Sequence, residues 1–548
     1  MSIEKLIVLA GGTAGCLIAS RLANTASRPS VLLLETGENN DDLSFRRTYD
    51  KFRLVFSHPE LDHGYISTPQ TNLDDRRVAQ VRGKGLGGSS QVNFQIWSLG
   101  ARDEFDQWAT LVEDQGWAFD AIVQRVKKIE NLHCEDIPVA YSSIVNPKKE
   151  NHGYEGDVDV SIGPFFEREI DHIFDAAREH GATINTDVNS GNPLGFGLPP
   201  HTSWQGKRTS AASAFIYRQR PENLKILTAS RVTRVLVNGN RAVGVEVGGN
   251  QIFTATKEII VTAGAIDSPR LLLLSGIGPR NDLKRLGITV AKDIPGLGRS
   301  LTDHPTVFLT YHMTHGFSDR HEFDSNPNMV ASASEQYTLE GDGPLNQHYS
   351  TVPTAFFKSE SSYHSRQFQS LGRETKDLLQ KPTVPHYEFA LCGPLLPATY
   401  AIANANDGYF NFFVALQNSQ SRGSVQLQSS DPDDPPLIDP NYLGNEYDVL
   451  VLIEAVRDAL NYMETPTMKR YRKHAIHAPQ SADDKVILKF LKDNVSGLWH
   501  PSGTMKMGSQ SDRASVVGSD FKVHGYENLR VADLSVTPIL PRFVSTPS

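Results

Sequence analysis

The sequence has few cysteines, no long apolar run and no block of like charges. Its three cysteines, Cys16, Cys134 and Cys392, are odd in number and far apart, which excludes a disulfide framework and the spacing of a metal site. No stretch approaches the ~18 consecutive apolar residues of a transmembrane helix. The formal charge of −9 disfavours nucleic acid and anionic membranes as partners. We therefore expect no metal, no nucleic acid and no membrane partner.

The composition is that of a globular protein with more than one core. The chain has 548 residues, of which 39% are hydrophobic and 21% charged, and it contains 42 Gly and 31 Pro. This length predicts two domains. Residues 1–5 lead directly into an apolar strand without the layout of a signal peptide. We therefore expect a cytoplasmic protein, unless a leader peptide has been removed.

The N-terminal segment has the strand, turn, helix and strand order of a dinucleotide-binding unit. An apolar strand at 6–9 is followed by the glycine-rich turn 10–15, a helical pattern of small and apolar residues, and a second apolar strand that ends at Glu35. In such units the helix N-terminus faces a pyrophosphate, and an acidic residue about 20 residues further on binds ribose hydroxyls. The alternative is an ordinary βαβ unit that binds no ligand.

One position departs from the dinucleotide-binding pattern. Ala10 occupies the place of the first glycine in G-x-G-x-x-G, which normally forms the tight turn, whereas Gly12 and Gly15 are kept. A side chain disfavours the left-handed backbone conformation. We therefore predict a negative φ at Ala10.

Residues 83–93 form a second stretch rich in glycine and serine. Six of its first eight residues have no side chain or only a hydroxymethyl group. Such residues let a backbone pass close to a bulky partner, and their bared N–H groups suit phosphate. The stretch predicts either a phosphate-binding nest or a tight surface turn.

The rest of the chain changes character near residue 306. Before it, strands are predicted at 224–227 and 258–262, with a hairpin turn at Asn238-Gly239 between two further strands. After it, strand-like pieces such as 307–313 and 409–416 alternate with polar segments. This later part predicts an antiparallel sheet with helices, of α+β character.

Several segments in the same order resemble the glucose–methanol–choline (GMC) family of FAD-dependent oxidoreductases, over nearly the whole chain. Residues 83–106 look like the first signature of that family, and residues 264–278 are similar to the second. Residues 500–504, His-Pro-Ser-Gly-Thr, resemble the segment that carries the catalytic histidine.

The resemblance implies a fold of two domains. An α/β FAD-binding domain, Rossmann-like and of GMC type, would be assembled from residues 1–160, 206–310 and 490–548. A second α+β domain with an antiparallel sheet would cover the flavin and bind the substrate. It would comprise residues 161–205 and 311–489.

The resemblance also implies which residues contact FAD. Gly12, Thr13, Ala14 and Gly15 would contact the pyrophosphate, Glu35 the adenosine ribose, and the backbone of Val232 the adenine. Gly87, Gly88, Ser90 and Asn93 would lie along the pyrophosphate, the ribityl chain and the flavin. Asp533 would lie near the flavin ring. Some relatives attach FAD covalently through a histidine in the first signature, but residues 83–97 contain none. We therefore expect non-covalent FAD.

His500 is the candidate general base. Hydride removal from an alcohol requires that the hydroxyl proton be taken, and a neutral imidazole suits this task near neutral pH. The alternative is a histidine that only forms hydrogen bonds in the core. Trp499 is a candidate substrate contact. His304, beside Asp303, is interpreted as structural, because the matching family segment is a domain connection.

The end of the chain departs from the family pattern. Relatives carry a second His or Asn followed by a final helix, whereas Val544 stands here and the closing helix is missing. An aliphatic side chain neither accepts nor donates a hydrogen bond. Arg542 is near enough to fill the place, and a guanidinium suits a carboxylate. The formate-oxidising branch of the family similarly pairs a histidine with an arginine. Two roles stay open for Arg542, a substrate clamp or an ion pair.

We therefore predict an enzyme that oxidises an alcohol, an aldehyde hydrate or a small carboxylate such as formate by hydride transfer to flavin N5. Oxygen or another acceptor would reoxidise the flavin. The alternative is a non-redox FAD-containing lyase or a catalytically impaired homologue, because the second His or Asn and the final helix are absent.

Overall fold

Two large sheets organise the chain in the computed structural model, which describes residues 2–163, 165–391 and 407–541. The first sheet has seven strands and contains the N-terminal βαβ unit. Six of its strands follow the order Leu224–Leu227, Val31–Leu34, Ser2–Leu9, Gln251–Val261, Arg241–Val247 and Val232–Asn238, and Leu529–Val531 pairs with Gln251–Val261. The first four of these and Leu529–Val531 are parallel to one another. Strand Arg241–Val247 is antiparallel to both Gln251–Val261 and Val232–Asn238.

Both faces of this first sheet are covered, which explains its continuous apolar strands. Along strand Val31–Leu34 every residue is buried. Leu32 and Leu34 pack on the side of helix Gly264–Leu274, and Val31 and Leu33 pack on the side of helix Thr13–Ala23. The parallel strands therefore bring their carboxyl ends to one edge between two helical layers.

The second sheet is antiparallel and also has seven strands. Six strands follow the order Arg472–His477, Pro305–Met313, Gly408–Leu416, Tyr387–Leu391, Thr354–Phe357 and Gly195–Gly197, and Ser496–Gly497 pairs with Pro305–Met313. Phe410, Phe412 and Val414 pack in one core with helix Glu446–Tyr462. The alternate residue Phe413 faces a cavity on the other side.

Smaller elements complete the described chain. The other α-helices are Leu54–Ser57, Arg102–Val112, Phe119–Val126, Arg168–Glu179, Arg280–Arg285, Asp319–Asp324, Pro327–Glu340, Pro344–Gln347, Arg366–Gln369, Arg373–Gln380, Pro466–Tyr471 and Asp484–Asn494. The shorter strands are Tyr65–Ile66, Ala79–Gln80, Glu130–His133, Val158–Ser161, Ser203–Trp204, Lys207–Arg208, Ile277–Gly278, Lys292–Asp293, Arg299–Leu301, Gly423–Gln426 and Leu437–Asp439. None of the helices in the described ranges has the length and apolar character needed to span a bilayer.

The fold class predicted from the sequence is confirmed, with an α/β unit and an α+β unit built on an antiparallel sheet. The domain boundaries stay a prediction. Strand Pro305–Met313 starts within the segment assigned to the first domain, yet it belongs to the antiparallel sheet. Cys392, Arg542 and Val544 lie outside the described residues.

Candidate active site

A cavity of about 800 Å³ lies where the carboxyl ends of the parallel strands meet the antiparallel sheet. It is lined by Leu9, Leu34 and Thr262 from the first sheet and by Ala390 and Phe413 from the second. Most of the residues singled out in the sequence also line it, namely Gly12, Thr13, Ala14, Glu35, Gly88, Ser90, Asn93, Val232, Trp499, His500 and Asp533. Gly15 and Gly87, both within the described chain, are not part of this lining.

The N-terminus of helix Thr13–Ala23 opens into this cavity. No side chain caps the helix at Gly12, and its first turn contains no acidic residue. The first N–H groups of a helix have no intrahelical partner, and together with the helix dipole they favour a negative ligand group. Residues of this kind fit the pyrophosphate of a dinucleotide.

Ala10 adopts a φ of +77°, so the prediction of a negative φ was wrong. Surrounding contacts hold the residue in this conformation. Its N–H donates to the carbonyl of Leu34 at 2.8 Å, and its carbonyl accepts from Oγ1 of Thr262 at 2.9 Å. The carbonyl also lies where a Cβ on Gly15 would be, 1.9 Å away. The turn therefore keeps its glycine-like path although alanine occupies it, and Gly15 permits the helix to pack on the strand.

The two glycine-rich stretches cross each other at the cavity wall. The N–H of Gly87 donates to the carbonyl of Gly11 at 2.8 Å. A Cβ on Gly88 would lie 2.7 Å from Cα of Gly12, and one on Gly83 would lie 2.3 Å from the carbonyl oxygen of Gly88. Such approaches exclude any side chain. Residues 83–88 thus pack against the first turn and do not form a surface turn.

Glu35 ties three loops together at the edge of the cavity. Its carboxylate accepts hydrogen bonds from the N–H groups of Gly11 at 2.7 Å, Gly37 at 2.8 Å and Gly85 at 3.1 Å. A carboxylate has about four acceptor positions, so one is left for a ribose hydroxyl. The role of Glu35 at the ribose stays a prediction.

Ser90 and Asn93 are held by strand Lys207–Arg208 and the segment that follows it. Oγ of Ser90 donates to the carbonyl of Gly87 at 2.6 Å and accepts from the N–H of Ala211 at 2.9 Å. Arg208 donates to both the carbonyl and Oδ1 of Asn93 at 2.8 Å. These bonds fix the backbone of the second glycine stretch along the cavity.

Asp533 joins the C-terminal segment to the start of helix Gly264–Leu274. Its carboxylate accepts from the N–H of Gly264 at 2.9 Å, Oγ of Ser268 at 2.6 Å and the N–H of Ser535 at 2.8 Å. Burial raises the pKa of this carboxyl, and the hydrogen bonds oppose that shift. Asp533 therefore shapes the cavity wall from the side of the second signature.

His500 lies at the cavity with its ring against a second histidine. Nδ1 of His500 is 3.0 Å from Nδ1 of His304, and the two rings are nearly perpendicular, at 88°. His500 lines the cavity, whereas His304 is buried behind it. The interpretation of His304 as part of a domain connection missed this contact, because it depends on the pairing of distant segments.

Asp303 clamps the backbones of both histidines. Its Oδ1 accepts from the N–H of His304 and from the N–H of His500, each at 2.8 Å. Its Oδ2 accepts from the hydroxyl of Tyr442 at 2.8 Å. The carboxylate thus fixes the separation of the two rings without contacting either ring.

The surroundings keep both imidazoles neutral at working pH. Burial lowers the pKa of His500 well below its usual value, and the neighbouring His304 and Arg82 lower it further. Burial alone lowers the pKa of His304 to about 3. The Arg82 guanidinium also donates to the carbonyl of Trp499. A neutral imidazole at the cavity wall is able to take a proton from a bound hydroxyl group.

An aromatic wall stands beside His500. Trp499 has a φ of +63°, and its ring lies 6.0 Å from Phe94 and 6.1 Å from Phe56. Phe94 in turn contacts Phe52 at 4.7 Å and Phe413 at 6.3 Å, measured between ring centroids. This wall gives the part of the cavity next to His500 an apolar surface.

Among the residues that sequence reasoning did not assign to this site are Arg82, Phe94 and Glu388, and for His304 it missed the contact with His500. Glu388 is buried, lines the cavity and accepts from Nε2 of Gln417 at 2.8 Å. Phe94 follows Asn93 directly in the first signature, which is a signal that was present. Arg82 directly precedes the same stretch, at Gly83, and so carries a similar signal. For Glu388 the sequence gives no such signal, because its position depends on tertiary contacts.

Comparisons with known proteins agree with this arrangement. Two family models described as GMC oxidoreductase match residues 4–306 and 419–546. The oxygen-dependent choline dehydrogenase of Rhizobium meliloti (strain 1021) is 31% identical over 97% of this chain and 91% of its own length. That of Sinorhizobium fredii is 32% identical, with the same coverage.

Solved structures of similar shape include oxidases. A formate oxidase variant from Aspergillus oryzae has a TM-score of 0.88 and 25% identity, covering 99% of this chain and 95% of that chain. A fungal aryl-alcohol oxidase has a TM-score of 0.83 at 24% identity and covers 98% of this chain and 95% of its own, a likeness of fold alone.

Proposed function

Since the chain belongs to the GMC oxidoreductase family and is an FAD-dependent oxidoreductase, we propose that it oxidises a small alcohol, aldehyde hydrate or carboxylate, with His500 as general base. Oxygen or another acceptor takes the electrons in the second half of the reaction. The names of the relatives support substrates of this size, since they include choline dehydrogenase and formate oxidase.

The cavity fits FAD, which is the cofactor of this family. The uncapped N-terminus of helix Thr13–Ala23 and the bare backbone of Gly12 suit the pyrophosphate. In this proposal Glu35 binds the ribose, the backbone of Val232 meets adenine, and Ser90, Asn93 and Asp533 lie towards the flavin. The absence of histidine from residues 83–97 supports a non-covalent cofactor. When bound, FAD supplies the acceptor for a hydride.

One observation carries the proposal for His500. The imidazole lines the same cavity as the glycine turns, and its burial keeps the ring unprotonated near neutral pH. A general base must be in its unprotonated form and within reach of the proton that it takes. His500 meets the first condition, and its place at the cavity wall provides the second. In this proposal the aromatic wall of Phe94 and Trp499, whose rings lie 6.0 Å apart, keeps water from the reacting group.

Arg542 is proposed as a substrate clamp in the case of a carboxylate substrate. Its guanidinium has the fork of donors that matches two carboxylate oxygens. The formate oxidase among the similar structures supports this assignment. An ion pair with another part of the protein is the competing role.

An anaerobic substrate screen tests the proposed function. The purified protein is expected to be yellow, and the visible spectrum of its oxidised flavin is recorded before and after addition of alcohols, aldehydes or formate. Bleaching by one of these classes is the expected result, because hydride transfer reduces the flavin. Turnover of a substrate without any bleaching would overturn the proposed oxidation and favour non-redox chemistry.

A further inference from the structure

His304 and His500 share one hydrogen bond between like atoms. Nδ1 of His304 and Nδ1 of His500 lie 3.0 Å apart, within hydrogen-bonding distance. When both rings are neutral, one of these nitrogens carries a hydrogen and the other accepts it. The pair therefore has two arrangements, which differ in the position of a single proton.

These two arrangements have opposite consequences for the chemistry of His500. If His304 is the donor, Nδ1 of His500 is the acceptor, and the proton of the neutral His500 ring must be on Nε2. The ring then offers an N–H to the cavity and is unable to accept a proton there. If His500 is the donor, its Nε2 carries a free electron pair. Only the second arrangement makes His500 a general base at Nε2.

We propose that His304 is a positioning residue that accepts a hydrogen bond from Nδ1 of His500 and so presents the unprotonated Nε2 to the substrate. This inference rests on the proposed function. His304 does not line the cavity and therefore acts only through His500. The role resembles that of the group behind the histidine in a catalytic triad, except that the acceptor is a neutral ring.

The contacts around His304 suit a neutral ring. The ring is 1% exposed, and Nε2 of His304 has no hydrogen-bond partner within the described residues. The carboxylate of the preceding residue, Asp303, uses its oxygens for two backbone N–H groups and the hydroxyl of Tyr442. Asp303 therefore forms no hydrogen bond with the His304 ring that would stabilise a charged imidazole.

The hydrogen bond between the two Nδ1 atoms also stabilises the His500 ring after proton transfer. The hydroxyl proton of the substrate would move to Nε2 of His500, bound FAD would supply the acceptor for the hydride with its two electrons, and the substrate would become a carbonyl compound. The resulting imidazolium carries hydrogens on both nitrogens. Its Nδ1–H is already directed at Nδ1 of His304, so this hydrogen bond is kept and strengthened by the new charge. No side chain has to reorient during the step.

Two variants of His304 separate positioning from packing. His304→Asn keeps an acceptor oxygen near the place of Nδ1, whereas His304→Leu fills the space without an acceptor. In His304→Leu we expect the rate constant of anaerobic flavin reduction, per bound FAD and at saturating substrate, to fall roughly 10- to 100-fold, at or below the lower end of the contribution of a general base. In His304→Asn most of the rate should return, with FAD content unchanged.

His201→Asn is the matched control, because His201 is also fully buried but lies outside the cavity lining. Its reduction rate per bound FAD should equal that of the unmodified protein. An unchanged rate in His304→Leu would overturn the inference. An equal loss in His304→Leu and His304→Asn would do the same, since an acceptor would then make no difference.

A spectroscopic measurement shows, without turnover, which ring nitrogen of His500 carries the proton. In ¹⁵N-histidine NMR of the substrate-free protein, the resonances of His500 are identified by their loss in His500→Ala. We expect a protonated Nδ1 and an unprotonated Nε2. The reverse pattern would overturn the inference even if His304→Leu failed to fold. A different result, full reduction of flavin in His500→Ala, would instead contradict the proposed function itself.

Discussion

The backbone of Gly88 rests directly on that of Gly12, so that a Cβ on Gly88 would lie 2.7 Å from Cα of Gly12. The contact joins the two glycine-rich stretches at the place where the helix N-terminus opens into the cavity. A backbone atom is unable to move aside as a flexible side chain does. The shape of the cofactor cradle therefore depends on the absence of a single methyl group.

Gly88→Ala is expected to weaken FAD binding and lower the free energy of unfolding by about 1–3 kcal/mol, the usual cost of overpacking. Absorbance of flavin per protein and the Kd for FAD measure the first effect, and urea unfolding measures the second. Gly239→Ala is the control, because Gly239 also has a positive φ but nothing within 4 Å of its Cβ position. Equal effects at the two positions would mean that backbone strain, and not the contact with Gly12, is responsible.

Ala10→Gly is expected to stabilise the protein. Ala10 is held at a φ of +77°, where glycine is free of the strain that a Cβ causes. The gain is partly offset by the larger entropy of glycine in the unfolded chain, which leaves about 0.5–1 kcal/mol. Urea unfolding of the FAD-free protein measures this difference. A loss of stability would show that the left-handed conformation carries no strain here.

His500→Ala is expected to keep FAD bound and lose most of its reduction by substrate. The rate constant of anaerobic bleaching should fall about 10²- to 10⁴-fold, the contribution of a positioned general base. Stopped-flow absorbance measures the rate, and the flavin spectrum before mixing serves as the control for cofactor content. A rate equal to that of the unmodified protein would remove His500 from the role.

Reduction of the flavin is expected to be independent of pH between about 6.5 and 8. The pKa of His500 is lowered by burial, by His304 and by Arg82, and Asp303 contacts only its backbone. The ring is thus already unprotonated at pH 6.5, and protonation slows the reaction only further into the acid range. A midpoint above pH 6.5 on the acid limb of the rate profile would contradict the lowered pKa.

The stability of the protein should fall as the pH drops below about 6.5, the pKa of a histidine in an unfolded chain. His304 stays neutral in the folded state because its pKa is about 3, whereas the unfolded chain takes up the proton. The loss from this residue alone is about 2 kcal/mol between pH 7.5 and pH 5. Urea unfolding at the two pH values should therefore show a smaller change in His304→Asn. An identical change would mean that His304 is charged in the folded protein.

Arg542→Ala is expected to impair a carboxylate substrate more than an alcohol. A guanidinium that binds two carboxylate oxygens has no equivalent partner in a simple alcohol. The ratio of kcat/KM for formate to that for an alcohol measures the effect, with Arg542→Lys as the variant that keeps the charge but not the fork. Equal losses for both substrate classes would favour an ion pair for Arg542.

Motifs made of neighbouring residues were enough to place most of the singled-out residues at the cavity wall. Gly12, Glu35, Asn93 and His500 come together as their local patterns indicated, because each stands at the end of a predicted strand or in a recognisable signature. Conformation at Ala10 was mispredicted, since Thr262 and Leu34 hold it from other strands. The preference of an alanine for a negative φ is overridden by such tertiary contacts.

The contact between His304 and His500 was beyond reach for the same reason. It arises where two segments that are distant in the sequence pair, and the residues of neither segment predict this pairing. The aromatic residues of the second sheet posed a related problem. Phe410, Phe412 and Phe413 look alike in the sequence, yet only the register of their strand decides that Phe413 faces the cavity and the other two face the core.

The segments that carry His304 and His500 form a short ladder of their own. Thr302 pairs with Ser502, Pro305 pairs with Gly497, and the N–H of Leu498 donates to the carbonyl of His304. A movement of the antiparallel sheet that admits a substrate would therefore move the two imidazoles together. The cavity is then able to widen while the distance between the two rings, and with it the basicity of Nε2 of His500, stays constant.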